Sequence, residues 1–134
     1  VARYQARLSG PFIDRIDLQV EVHAVAPDEL LAQPQGESSD AVAQRVDASH
    51  RRQHQRQGCA NAQLQGKQLD EVCALDEPAS RFLQAAAARL GWSGRSLHRV
   101  LKVARTVADL SGADRLAVAH LAEAMQYRRS LPTG

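Results

Sequence analysis

The sequence predicts a mainly α-helical fold, and three observations carry that prediction. Of its 134 residues 44% are hydrophobic but only 4% aromatic, so the core must be built from Ala, Leu and Val, whose small side chains let helix axes approach closely. From Asp76 onward, apolar residues recur at helical spacing in three successive stretches separated by Gly and Ser, the pattern of amphipathic helices with caps between them. Strand-like alternation is confined to residues 16–22. The length suits one compact domain plus a tail, and this composition, with 24% charged residues, excludes a wholly disordered chain.

Tyr4, Arg7 and Leu8 lead without a cap into Ser9, Gly10 and Pro11, which signal a turn of helix. Ile16, Leu18, Val20 and Val22 then alternate with Asp17, Gln19 and Glu21, predicting one strand. A lone strand leaves its backbone groups without neighbours. Its sheet is therefore expected in a region before Val1 or in another copy, and the chain reads as the end of a longer protein. Pro27, Pro34, Gly36 and Ser38-Ser39 mark a linker with one helical turn around Asp28 to Leu31. Residues 1–35 are thus expected to be a loosely ordered strip, 36–130 a helical domain and 131–134 a tail.

The first long helix is expected from about Ser39 to Gln57, with Val42, Val46 and Ser49 on one side and Arg45, Arg51, Arg52 and Arg56 mostly elsewhere. Gly58 and Gly66 interrupt the next stretch, giving a loop and a short helix that carries Leu69, Val72, Cys73 and Leu75. Asp76 is an N-cap with Glu77 and Pro78 in the first turn, and Ala79, Phe82, Leu83, Ala86 and Leu90 follow up to Gly91. Ser93 or Gly94 caps another helix, with a stripe of Leu97, Val100, Leu101, Ala104, Val107 and Ala108 and with Arg95, Arg99, Lys102 and Arg105 down its polar side. Leu116 to Arg128 forms the last helix on Val118, Leu121, Ala122 and Met125. The result is an assembly of about four helices.

A net charge of +2 demands neither a nucleic-acid nor a membrane partner. No apolar run approaches the roughly 20 residues of a membrane span, so a cytoplasmic protein is expected. Cys59 and Cys73 read as reduced structural thiols, and His50 and His54 as part of a solvated basic face without a third metal ligand. No GxxxxGK[ST] phosphate loop occurs, so the chain by itself is not expected to be an enzyme. Arg15, between Asp14 and Asp17, reads as a surface ion pair. Arg95 stands in a helix first turn, where a cation opposes the macrodipole unless an anion approaches; a phosphate contact and a merely solvated arginine both fit. A separate alternative is a stand-alone helix-turn-helix module, with 76–90 and 93–111 joined by the GWSG turn and Arg95, Arg99 and Lys102 facing DNA phosphates.

Four segments, LSGPFIDRIDLQVEV at 8–22, NAQL at 61–64, SGRSLHRVLKVARTVADL at 93–110 and HLAEAMQYR at 120–128, resemble in identity and order the C-terminal part of the magnesium-chelatase-like YifB/ComM family of AAA+ ATPases. The resemblance implies that residues 1–35 are the end of an AAA+ core, with an arginine-finger element, last strand and linker, and that 36–130 are its helical lid. It implies that Arg15 is the arginine finger acting in trans on a neighbouring subunit's ATP, and that Arg95 is the second-sensor arginine reaching the terminal phosphate in its own subunit. Arg105 matches a recurring basic position without an assigned role. ATP and Mg2+ would be bound by the full-length protein rather than by this chain alone. The partners implied are the remainder of the core and further copies in a ring, a hexamer, with DNA as substrate of a bacterial helicase or branch-migration factor in competence, and no membrane.

Overall fold

The computed structural model describes residues 10–128, Asp14 apart. The expectations placed on Tyr4, Arg7, Leu8 and the 131–134 tail lie outside the described residues. The chain is mainly helical: α1 Gly10–Ile13, α2 Pro27–Leu31, α3 Ser39–Gln57, a 3-10 turn Asn61–Gln63, α4 Gly66–Val72, α5 Glu77–Leu90, α6 Gly94–Leu110 and α7 Val118–Gln126. Local chemistry sets the boundaries. Side chains of Ser38, Asp76 and Ser93 accept the backbone N–H groups of Ala41, Ala79 and Ser96, satisfying donors that a helix start leaves open. At the other end of α5, Gly91 takes φ 63° and its N–H returns to the Ala87 carbonyl, a left-handed cap that a side chain would strain.

Helix α6 is the centre. Its Val100, Ala104 and Ala108 are at most 1% exposed and pack in one core with Leu69, Leu83, Leu116, Leu121 and Ala124. Alanines at 104, 108 and 124 let the helices lie close, as the aromatic-poor composition requires. The loop before α5 and the loop before α7 meet in a single parallel bridge between Leu75 and Leu116, which begins α7 later than the expected Leu116.

Two expectations are corrected. Residues 16–22 form no strand: among the described residues no neighbouring strand supplies a hydrogen-bond ladder, and Leu18, Val20 and Val22 are 51%, 67% and 85% exposed. Within the strip at 1–35, residues 15–19 touch the helices, where Gln19 N–H donates to the Tyr127 carbonyl at 2.7 Å, while 20–35 are exposed. On α3, the expected apolar side is turned outward at Val42 and Val46, while Ser49 and Gln53 are buried. The face toward α6 is polar because it meets polar groups there. Arg52 Nη1 donates to Gly112 O at 3.2 Å and Arg56 Nη1 to Asp109 Oδ1 at 2.6 Å.

Candidate functional site

Two arginine-bearing faces flank α6. The inner one holds a buried polar cluster that overturns the placement of Arg105 on the polar side, since Arg105 is only 1% exposed. Its guanidinium donates to the carbonyls of Asp114 at 3.0 Å and Ala113 at 2.7 Å and pairs with Asp109 at 3.2 Å. Asp109 also accepts from both Arg56 Nη atoms, at 2.6 and 3.1 Å, and from Asn61 Nδ2 at 2.8 Å. Burial pushes the Asp109 carboxyl up, but the hydrogen bonds from Arg56 and Asn61 and the charges of Arg105 and Arg56 outweigh it and hold the group below its ordinary value. Arg105 moves down, because burial disfavours its charge more than Asp109 restores it. This cluster joins α3, the 3-10 turn and α6 through the shared Asp109 carboxylate, with Arg105 Nε left without a hydrogen-bond partner among the described residues.

The outer face is open. A cleft of about 870 Å3 runs along α6 from Gly94 and Arg95 at its start to Leu110 at its end, walled by Asp17 and Leu18, by Ala62 and by Glu123 and Tyr127. Its lining mixes the apolar Val103, Val107 and Leu110 with the cationic Arg95, Arg99 and Lys102. Two of the three cations are engaged: Lys102 Nζ donates to Ala62 O at 3.2 Å, and Arg99 Nη1 donates to Arg15 O at 2.9 Å and Asp17 Oδ1 at 2.5 Å. Of these two, Arg99 has its charge met by the Asp17 carboxylate, whereas Lys102 keeps its charge. Arg95 is exposed and has no hydrogen bond or ion pair among the described residues.

Arg15 is likewise exposed, and its guanidinium has no partner among the described residues. The ion pair expected within Asp14-Arg15-Ile16-Asp17 is not made by Asp17, which binds Arg99 instead; Asp14 lies outside the described residues. The structure brings the backbone of Arg15 to α6 but leaves its side chain outside the cleft that Arg95 lines. Sequence reasoning missed Asp17, Asn61, Arg99 and Asp109 as partners. One signal was present: Arg105 and Asp109 follow Leu101 at i+4 steps, inside the stripe that the apolar residues define.

Among the described residues no group of three His, Cys, Asp or Glu side chains converges as a metal site. The rings of His50 and His54 stand 4.4 Å apart on the exposed side of α3. No described helix is long and apolar enough to cross a membrane. Burial raises the Cys73 thiol to about 11, in keeping with a structural role.

A model of the family described as magnesium chelatase, subunit ChlI, C-terminal matches residues 36–128. The chain belongs to this family. A second model, magnesium chelatase, subunit ChlI, matches residues 1–30, so both parts of the ChlI pattern occur here in order. Among curated proteins the chain is 45% identical over 128 residues to the uncharacterized protein YifB of Salmonella typhimurium, covering 94% of this chain and 25% of that one. It is 42% identical over 129 residues to the competence protein ComM of Haemophilus influenzae, covering 96% and 25%. An uncharacterized protein of Mycobacterium tuberculosis is 33% identical over 132 residues, covering 96% and 26%. The chain thus spans about a quarter of the length of these ChlI-type relatives.

Proposed function

We propose that this chain is the C-terminal lid region of a magnesium-chelatase-like AAA+ ATPase, supplying Arg95 to the terminal phosphate of ATP in its own subunit and Arg15 to the ATP of a neighbour in a ring. The observation that carries the reading is Arg95 itself. It sits in the first turn of α6, exposed and without a partner among the described residues, at the end of an open cleft. A cation there opposes the helix macrodipole, an arrangement that an approaching phosphate reverses to advantage. Guanidinium donors aimed at charge that develops on a transferred phosphoryl group are an established means of lowering the barrier.

The residues fit ATP at that one end. The sequence contains no phosphate loop, and no metal-binding cluster occurs among the described residues, so cradle and Mg2+ ligands fall to the rest of the protein. Residues 1–35 are then the end of the nucleotide-binding core and 36–130 the lid, whose rotation would convert hydrolysis into motion. The competence name of the Haemophilus relative supports DNA as what the ring acts on. The test is ATP turnover of the full-length protein. Arg95→Ala and Arg15→Ala should both assemble and lose turnover, with only the Arg15 defect rescued by mixing in subunits that lack a working phosphate loop. Unchanged turnover in both would discard the reading.

A further inference from the structure

We propose that Arg99 is a positioning residue that couples the two arginines: it holds the segment bearing Arg15 against the helix bearing Arg95, so that movement of the lid carries the finger with it. The inference rests on the function proposed above. Arg99 follows Arg95 by four positions, about one turn of the same helix. Its Nη1 bridges the Arg15 carbonyl at 2.9 Å and the Asp17 carboxylate at 2.5 Å, the second a charge-assisted bond. Its side chain is 25% exposed, and its Nε is buried without a hydrogen-bond partner among the described residues. The orientation of the guanidinium is therefore set by the Nη1 contacts to residues 15 and 17.

A second tie lies two residues on, where Gln19 N–H meets the Tyr127 carbonyl at 2.7 Å, just after α7, itself packed on α6. The root of the Arg15 side chain is thus fixed at its own carbonyl, while its guanidinium is exposed and unpaired among the described residues. One chain then carries an arginine for its own site and one for the next, with a bracket between them. A partly exposed ion pair adds little to folding, so breaking this one should be visible in coupling and not in stability.

The test uses the full-length protein with Arg99→Ala, Arg99→Lys and Asp17→Asn beside Arg95→Ala and Arg15→Ala. Turnover, affinity for a fluorescent ATP analogue, melting temperature and hydrogen exchange at residues 15–19 are read. Arg99→Ala and Asp17→Asn should keep melting temperature and nucleotide affinity, lose protection at 15–19 and lower turnover by about ten- to a hundredfold, the scale of a misplaced catalytic group. Arg99→Lys should recover part of the loss, since it keeps the charge without the fork. An affinity loss in Arg99→Ala equal to that of Arg95→Ala makes Arg99 a nucleotide ligand and overturns the proposal, as does unchanged exchange at 15–19. Wild-type turnover in Arg99→Ala beside loss in Arg15→Ala and Arg95→Ala overturns the coupling alone. Wild-type turnover in all three removes the functional reading and the coupling with it.

Discussion

Arg95 and Arg105 share one helix and have opposite surroundings. Arg105 is enclosed, bonded to two carbonyls and to Asp109; Arg95 is exposed and has no partner among the described residues. The difference shows that residue type does not say what an arginine is for. A buried guanidinium must have its charge and donors answered, and removing the answer is costly, whereas an exposed one is available to whatever anion arrives. The inner face of α6 is therefore a fastener and the outer face a candidate contact.

The strongest way to break this contrast is Asp109→Ala. It leaves Arg105 and Arg56 without their shared carboxylate, so the folded state should lose about 3 to 5 kcal/mol in denaturant unfolding. Leu101→Ala, which truncates a core side chain of the same helix without touching a charge, should cost roughly 2 to 5 kcal/mol. A loss in Asp109→Ala well below that of Leu101→Ala would mean that the inner cluster is not a fastener.

The inner face can also be titrated. Folding holds Asp109 below its ordinary value of 3.8, so in acid the unfolded chain takes up this proton before the folded one does. The stability that this carboxylate contributes is complete above that ordinary value and is lost as pH falls through the lower folded value. Asp109→Asn should therefore flatten the stability curve on its acid side and leave its slope near neutral pH unchanged, as followed by melting temperature across pH.

Two smaller effects sharpen the outer face. Ser93→Ala removes the side chain that accepts the Ser96 N–H and should cost about 1 kcal/mol. Arg95→Ala should change stability by less than about 0.5 kcal/mol while altering nucleotide turnover. Equal stability losses in Arg95→Ala and Asp109→Ala would erase the distinction between the two faces.

Much of the fold was legible because helix ends are local chemistry. Asp76, Gly91 and Ser93 announce the limits of α5 and α6, and the structure places all three there. The strand at 16–22 was misread because alternation describes a chain that could pair, while pairing itself needs a neighbour that the sequence of the segment does not contain. Arg105 and the inward arginines of α3 were misread because periodicity sorts positions by polarity. Only knowledge that Asp109 and Asn61 converge on them explains why charge lies inside. Of the candidate site, Arg15 enters as a candidate from the resemblance, and Arg95 from the resemblance and its place in the first turn of a helix. The bracket between them could not, since it depends on Arg99 reaching a carbonyl and a carboxylate far away in the sequence.

The two cysteines differ as sharply as the two arginines. Cys73 is buried, its thiol raised to about 11, beneath the Leu101 carbonyl at 3.8 Å, so few thiolates form there at neutral pH. Cys59 is partly open, next to the left-handed Gly58 that ends α3 and close in sequence to Ala62 in the cleft wall. A maleimide dye applied to the folded chain should therefore settle on Cys59 first, giving a native attachment point for a fluorophore without altering a single residue.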